Sequence, residues 1–194
     1  MIIQDLFLYF ARFPKRDGLN AMFTMGASSY SEYSFLQAEL CDLEKHSLVP
    51  DIENYVYGQS FEDLQQRVSR LFGSWLYVDY GEFTARDSHG SMDVSQRIAV
   101  TVAIRLSQNA DMAERMIASD RALAMLSKVH AHMMADAERG HIDWLMREDI
   151  LKAEIVPFVA TELSSFGWTL FVNATAPDML GTHDMSKTIL RHNY

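Results

Sequence analysis

Histidine is the residue type in this sequence that most directly suggests chemistry, because an imidazole can bind a metal ion or transfer a proton. Three of the seven histidines, His130, His132 and His141, fall close together in the chain. His130 and His132 lie two positions apart in a segment with helical periodicity, so their side chains point in different directions. No His-Glu-x-x-His motif occurs, and no carboxylate stands at ligand spacing on the His130 face. The pattern therefore predicts no metal site.

The candidate nucleophiles lack the partners that would activate them. Cys41, the only cysteine, falls in the middle of a predicted helix, whereas a reactive thiolate needs a helix N-terminus or a basic partner. Ser74 lacks the second glycine of a nucleophile elbow, and the nine glycines form neither a P-loop nor a dinucleotide-binding fingerprint. We therefore expect no catalytic residues and no cofactor, and the protein is not predicted to be an enzyme.

Two other functions stay open on the sequence. In the first, the protein is a small hydrolase or transferase whose site is assembled from scattered residues such as His130, Asp136 and Glu148. That hypothesis requires a pocket that holds titratable groups of perturbed pKa. In the second, the protein is a monomeric adaptor that binds a partner peptide through a methionine-bearing helix, since several of the twelve methionines fall between 112 and 134.

Composition and charge narrow the class of protein. The chain has 194 residues, of which 48% are hydrophobic and 22% are charged, and this excludes a disordered chain. A formal net charge of −9 argues against a general nucleic-acid binder, which needs a cationic surface. The apolar run at 1–16 carries Asp5 early and its basic residues late, which is the wrong order for a signal peptide. The run is also shorter than the roughly 20 residues that span a bilayer. We expect neither secretion by a signal peptide nor insertion into a membrane.

The spacing of apolar residues predicts an α+β fold. An antiparallel sheet built on a long β-hairpin is expected to pack against α-helices, in a single domain over 1–194. Residues 1–50 form its helical N-terminal region, and residues 53–176 hold the hairpin, a long helix and a late strand. The periodicity and the capping residues predict the following elements in chain order: helices in 1–13, 29–47 and 60–73, a strand at 54–58, the hairpin at 73–107, helices at 111–140 and 141–155, and a strand at 167–175.

The long helix is the element with the clearest signals. Asp111 and Glu114 have the spacing of a capping box, and Gly140 is placed to end the helix. The residues expected to share its buried face are Met116, Leu123, Leu126, His130 and Met133.

The hairpin is predicted from two alternating runs around one tight turn, in GSWLYVDYGEFTARDSHGSMDVSQRIAVTVAIRLS. A three-residue loop over 88–90 would place Gly90 in the left-handed conformation and pair Asp87 with Ser91. In that register Leu76 faces Val102 and Val78 faces Val100.

The apolar pairing of the hairpin weakens toward its tip. About five residues of each arm, at ~3.4 Å per residue, would extend on the order of 17 Å beyond the core. An isolated two-stranded ribbon is marginal in water, so something is expected to cover it. Either another part of the same chain or a neighbouring subunit could do so.

This order of elements resembles the tail-terminator and tail-completion proteins of tailed phages. The resemblance rests on the hairpin strands WLYVDYGEF and SQRIAVTVAIRLS, the long helix that begins at Asp111 and the strand GWTLFVNA, and it covers residues 53–176. The N-terminal region through Leu48 is longer than that family's outline, which leaves another head–tail joining or virion protein open. The resemblance implies a subunit without enzymatic activity that forms a ring at the end of the tail tube. Its partners would be other copies of itself and other virion proteins, in the host cytoplasm during assembly and then in the virion.

The hairpin supplies the residues expected at an intersubunit contact. Charged side chains along both arms could pair across subunits, and each exposed pair would contribute only about 0–1 kcal/mol. The candidate contact residues are Asp79, Glu82, Phe83, Arg86, Met92, Arg97 and Arg105.

The first prediction concerns metal content. Because the histidines do not converge, we expect the purified protein to carry no stoichiometric zinc, as measured by elemental analysis. About one zinc per chain, lost in the His130→Ala variant, would contradict this expectation.

Overall fold

The computed structural model describes residues 2–20, 28–42, 47–59, 64–65, 71–88 and 91–175. Most of the helix predicted at 60–73 and the tail after Pro177 lie outside these residues. The α+β class predicted from the sequence is confirmed. The helices are α1 (Ile2–Ala11), α2 (Arg16–Asn20), α3 (Ser31–Asp42), α4 (Met112–Arg139) and α5 (Arg147–Leu151). The strands are β1 (Asn54–Gly58), β2 (Ser74–Asp79), β3 (Phe83–Ser88), β4 (Ser91–Arg105), β5 (Glu154–Ala160) and β6 (Ser165–Ala174).

The six strands form one mixed sheet. Its order is β1-β2-β4-β6-β5, and β3 pairs with the outer part of β4. β1 and β2 run parallel, whereas every other pair is antiparallel. The predicted antiparallel sheet is present, and the β1–β2 pair is the exception to it. Residues 59–73 separate β1 from β2, which is long enough for a crossover connection and so for parallel pairing.

The main core lies between one face of the sheet and the helices α1 and α4. Ile98, Val100 and Val102 of β4 point to this face and are fully buried, as are Leu170 and Val172 of β6. These residues alternate along their strands, so the opposite face of the sheet carries a second, smaller cluster. That cluster is made of Val56, Leu64, Trp75, Tyr77, Ala103, Ala160 and Leu163.

Helix α4 begins and ends at the residues predicted from the sequence. Asp111 accepts a hydrogen bond from the Glu114 backbone N–H at 2.8 Å, and Glu114 accepts one from the Asp111 N–H at 3.2 Å. Gly140 ends the helix in the left-handed conformation, with φ 64°. These caps fix the length of α4 and therefore its position across β4 and β6.

The buried face of α4 was predicted only in part. Leu126 and Met133 are buried as expected, but Met116 is 66% exposed and Leu123 and His130 are half-buried. The residues that face the sheet are Ala118, Ala122, Met125, Leu126, Val129, Met133 and Asp136. The missed residues include Met125 and Val129 as well as the small Ala118 and Ala122, so the buried stripe is rotated around the helix relative to the predicted one.

The segment between α4 and β6 differs from the expectation. A single helix was predicted over 141–155, whereas α5 covers only Arg147–Leu151 and an edge strand, β5, begins at Glu154. Ile155 and Val159 of β5 are 41% and 62% exposed. Pro157 lies in the middle of this strand, opposite Trp168 of β6. Proline is tolerated there because an edge strand can lose an outward-facing backbone N–H.

The structure also bears on membrane association. Among the described residues, no helix combines the length and the apolar character that crossing a bilayer would require.

The second prediction tests the core under α4. Leu126 is fully buried, so Leu126→Ala should lower the free energy of unfolding by about 2–5 kcal/mol, as measured by urea denaturation. Ala124→Gln is the matched control, because Ala124 is exposed on the same helix and its replacement should change stability by no more than about 0.5 kcal/mol. Equal effects of the two substitutions would contradict the packing described above.

Candidate functional site

The base of the hairpin has the predicted register. Leu76 pairs with Val102 and Val78 pairs with Val100. Toward the tip the register is shifted by one residue, so that Asp87 pairs with Met92 and not with Ser91. The prediction for the tip was therefore wrong. The cause is one extra residue in the connection between β2 and β3, which is a β-bulge.

The bulge is built around Gly81. Its φ of 56° lies in the left-handed region, and a Cβ atom added there would overlap with the carbonyl oxygen of Arg97. Asp79 Oδ1 accepts a hydrogen bond from the Gly81 backbone N–H at 2.8 Å. The Arg97 backbone N–H donates to Glu82 O at 3.2 Å, and Gln96 Nε2 donates to Tyr80 O at 2.6 Å. These bonds hold the two strands together on both sides of the extra residue.

Beyond the bulge, β3 and residues Ser91–Ser95 of β4 form a two-stranded ribbon. The last pair between β4 and β6 is Gln96 with Ala174. Ser91–Ser95 therefore pair with β3 on one side, and no strand of the described part of the chain pairs with them on the other. We call this side the open edge of the ribbon. An unpaired row of backbone N–H and C=O groups is a template for another extended segment.

The base of the ribbon is fixed to the core. Phe83 and Val94 are partly buried against the main hydrophobic cluster, and Gln96 is fully buried. Thr84 and Ala85 are exposed. The ribbon thus starts from a packed base.

Four of the seven predicted contact residues lie around the bulge. Asp79 is half-buried, and burial raises its pKa although the bond from Gly81 partly opposes the rise. Glu82 and Arg97 are exposed, and Phe83 packs on the core. The Arg97 guanidinium carbon lies 4.7 Å from the centroid of the Phe171 ring, which holds this cation on the sheet face.

The other three contact residues do not join that group. Arg86 and Met92 are residues of the ribbon, one in β3 and one in β4. The structure describes their backbone pairing and not their side chains. Arg105 is at the opposite end of β4, about 27 Å from Arg97 at ~3.4 Å per residue. It donates to Leu71 O at 3.0 Å, and its guanidinium lies over Phe72. Arg105 is therefore positioned to hold the 71–73 segment, away from the ribbon.

The three residues of the enzyme hypothesis, His130, Asp136 and Glu148, lie in different surroundings. Asp136 is buried and accepts a hydrogen bond from Tyr9 Oη at 3.1 Å, with Arg12 Nη1 at 3.5 Å and His141 Nδ1 at 3.6 Å. Burial, and then the charge of Asp136, raise the pKa of Tyr9. Glu148 is exposed and His130 is half-buried, and neither is among the partners of Asp136 in the described residues. This cluster ties α1 to the end of α4.

The described residues offer little for binding a metal or a small molecule. Within them, no group of three or more histidine, cysteine, aspartate or glutamate side chains could hold a metal ion. An open groove beside α4 is lined by Ile104, Leu106, Glu114, Ile117, Ala118 and Arg121. Glu114 is engaged in the cap of α4, so this groove does not bring a free acid and base together.

The methionines of α4 divide between core and surface. Met125 and Met133 are buried, whereas Met112 and Met116 are 85% and 66% exposed. Met134 is partly buried against the main cluster, so the strongly exposed methionines of α4 lie in its first turns. This surface is smaller than the adaptor hypothesis assumed.

The bulge was missed in the sequence, although it carries a signal. A glycine within an alternating strand pattern indicates a bulge or a close backbone contact, and Gly81 interrupts the run from Trp75 to Phe83 in this way. Because WLYVDYGEF was assigned as one uninterrupted strand, the predicted register of the tip differs from the observed one by one residue.

The third prediction tests the bulge with two glycines that share a conformation. Gly81 and Gly140 both have positive φ, but only at Gly81 would a Cβ atom meet another group. Gly140→Ala should cost about 1 kcal/mol of unfolding free energy from left-handed strain alone. Gly81→Ala should cost at least about 1 kcal/mol more, because the Arg97 carbonyl must also move. The two variants would be compared by thermal and urea unfolding, and equal costs would contradict the described bulge.

Comparisons of the chain with protein-family models, with curated proteins and with solved structures found no match.

Proposed function

We propose that this protein is a non-enzymatic assembly subunit that self-associates through the ribbon. The observation that carries the proposal is the open edge, where five residues of β4, Ser91–Ser95, are paired on one side only within the described chain. A projecting two-stranded ribbon is marginal in water and gains stability when another surface covers it. A second copy of the chain is the partner that every molecule in solution meets.

The packing of the ribbon supports a role in assembly. Its base is anchored by Phe83, Val94 and Gln96, so the ribbon is held in one direction before any partner binds. Binding then costs less conformational entropy than it would for a loop. Backbone pairing supplies the contact, while exposed charges such as Glu82 and Arg97 set the register and contribute about 0–1 kcal/mol each.

The order of the elements adds a specific role to this proposal. It resembles tail-terminator and head–tail joining proteins of tailed phages, so the proposed partners are other copies of the chain and other virion proteins. The proposed location is the host cytoplasm during assembly and then the virion. The proposal includes no cofactor. It also includes no nucleic-acid binding, because the net charge of −9 disfavours binding to phosphate groups.

The fourth prediction removes the ribbon without disturbing its base. Residues 85–94 are replaced by Asn-Gly. Thr84 and Ser95 pair in the structure and would then flank a two-residue turn. Ser88 and Ser91 flank residues 89–90 in the same way in the wild-type chain. We expect the melting temperature to fall by only a few degrees, since Val94 alone, among the described residues of the removed segment, packs on the core. Self-association, measured by light scattering coupled to size-exclusion chromatography, should be abolished.

A full-length ribbon with the same turn is the control for this experiment. Replacing only His89-Gly90 with Asn-Gly keeps every pair of the ribbon and should keep self-association. A shortened protein that still associates like the control would contradict the proposal. So would a wild-type chain that stays monomeric at all concentrations, or a shortened chain that does not fold.

A further inference from the structure

The margins of the sheet differ in what protects them from another strand. Within the described residues, the margins without a neighbouring strand are the outer sides of β1, β5 and β3 and the open edge of the ribbon. The β1 margin is covered, because Tyr55 is buried and a Cβ atom added to Gly18 of α2 would overlap with the Glu53 carbonyl oxygen. The β5 margin lacks a backbone donor in its middle, at Pro157.

The outer margin of β3 is protected by the bulge. The extra residue lies on this arm of the hairpin, and a bulge twists an edge away from a straight partner strand. The Gly81 carbonyl oxygen accepts a hydrogen bond from Gln59 Nε2 at 3.3 Å, so it is already engaged. In the part of the chain that the structure describes, the open edge of the ribbon is therefore the margin with no such protection.

The open edge offers a definite set of backbone groups. The Arg97 backbone N–H donates to Glu82 O, on the β3 side of β4. Successive residues of a strand direct their N–H and C=O groups to alternate sides. Met92 and Val94 therefore direct these groups to the open edge, and Asp93 directs its groups to β3.

We propose that the open edge pairs with the same edge of a second copy, antiparallel and across a two-fold axis at Met92. Met92 of each copy then exchanges its N–H and C=O with Met92 of the other. The two ribbons become one four-stranded sheet, whereas each two-stranded ribbon alone is marginal in water. The inference rests on the function proposed above, because it specifies how the ribbon self-associates.

Two features of the described chain select this register. In a register centred on Asp93, two aspartates would lie opposite each other, and like charges in a cross-strand pair are destabilising. That register would also bring the second copy beside Gln96, where Ala174 of β6 already pairs. The register centred on the preceding residue sets Asp93 opposite Ser91 of the second copy and keeps the second copy clear of β6.

The symmetry of this contact limits the size of the assembly. An isologous contact uses the same margin on both copies, so it closes as a dimer. A ring needs two different surfaces on each subunit. The ribbon is therefore expected to give a dimer, and a ring would need a further surface in addition to it.

Disulfide cross-linking of the full-length chain tests the register. Single cysteines are introduced as Ser91→Cys, Met92→Cys and Asp93→Cys in a Cys41→Ser background, and covalent dimers are followed on non-reducing gels during mild oxidation. Opposed residues of an antiparallel pair have Cα atoms about 4.5–5.5 Å apart, within the range of a disulfide. Two copies of residue 91, or two copies of residue 93, would be about 8 Å apart, beyond that range.

The expected result is a pattern of rates. Met92→Cys should form covalent dimers at least about 10-fold faster than Ser91→Cys or Asp93→Cys alone, because its own counterpart lies opposite. An equimolar mixture of Ser91→Cys and Asp93→Cys should cross-link as fast as Met92→Cys. Light scattering should give the mass of a dimer for the wild-type chain.

Two controls accompany these variants. Ala124→Cys, which is exposed on α4, reports random collision and should cross-link no faster than Asp93→Cys alone. The Cys41→Ser protein without a new cysteine must keep the melting temperature and the self-association of the wild-type chain, and Cys41→Ala replaces it where serine lowers either one.

The outcomes separate this inference from the proposed function. Fast cross-linking of Asp93→Cys with itself would overturn the register. Slow cross-linking of all three variants and of the mixture, at concentrations where the wild-type chain associates and the shortened ribbon does not, would overturn the edge-to-edge pairing and leave the proposed function standing. An assembly larger than a dimer that depends on the ribbon would do the same. A wild-type chain that stays monomeric would overturn both.

Discussion

The pairing of β4 on both of its sides is the constraint on which the rest of the structure depends. This 15-residue strand pairs with β2 and β3 on one side and with β6 on the other. Its inner half also supplies Ile98, Val100 and Val102 to the core under α4. Because one strand serves both as the centre of the sheet and as half of the ribbon, the direction in which the ribbon projects is set by the core. A change that tilts β4 within the sheet would therefore move the open edge as well.

The N-terminal helix is joined to this framework by polar as well as apolar contacts. Tyr9 of α1 and Arg12, which follows the helix, reach Asp136 on α4. Tyr55 and Tyr57 of β1 donate their hydroxyl groups to Phe7 O and Ile3 O. A buried carboxylate without partners would be costly, so these bonds make Asp136 compatible with the interior. These hydrogen bonds also restrict the rotation of α1 about its own axis, because each one requires a particular atom of the helix to face its partner.

Local signals account for what could be predicted from the sequence. The caps at Asp111, Glu114 and Gly140 and the alternation of Leu76 and Val78 depend on neighbouring residues, and these predictions were confirmed. The features that were missed depend on distant contacts. The face of α4 is decided by which of its residues fit against β4 and β6, and β5 is a strand because β6 lies beside it. For the site, the hairpin and its base were predictable. The open edge was not, because it results from the point at which β6 stops at Ala174.

Pro157 interrupts the row of backbone donors along the outer margin of β5. The even-numbered residues of β5 direct their backbone N–H and C=O groups to β6. This follows from the pairing of β6 with β4, because successive residues of a strand direct these groups to alternate sides. The nitrogen of Pro157 therefore faces outward. The outer margin of β5 therefore has donors only at Ile155 and Val159 and a gap between them, and a strand laid against it would leave a carbonyl group without a partner. Lateral polymerisation from β5, the route by which exposed strands produce fibrils, is obstructed in the middle of the strand.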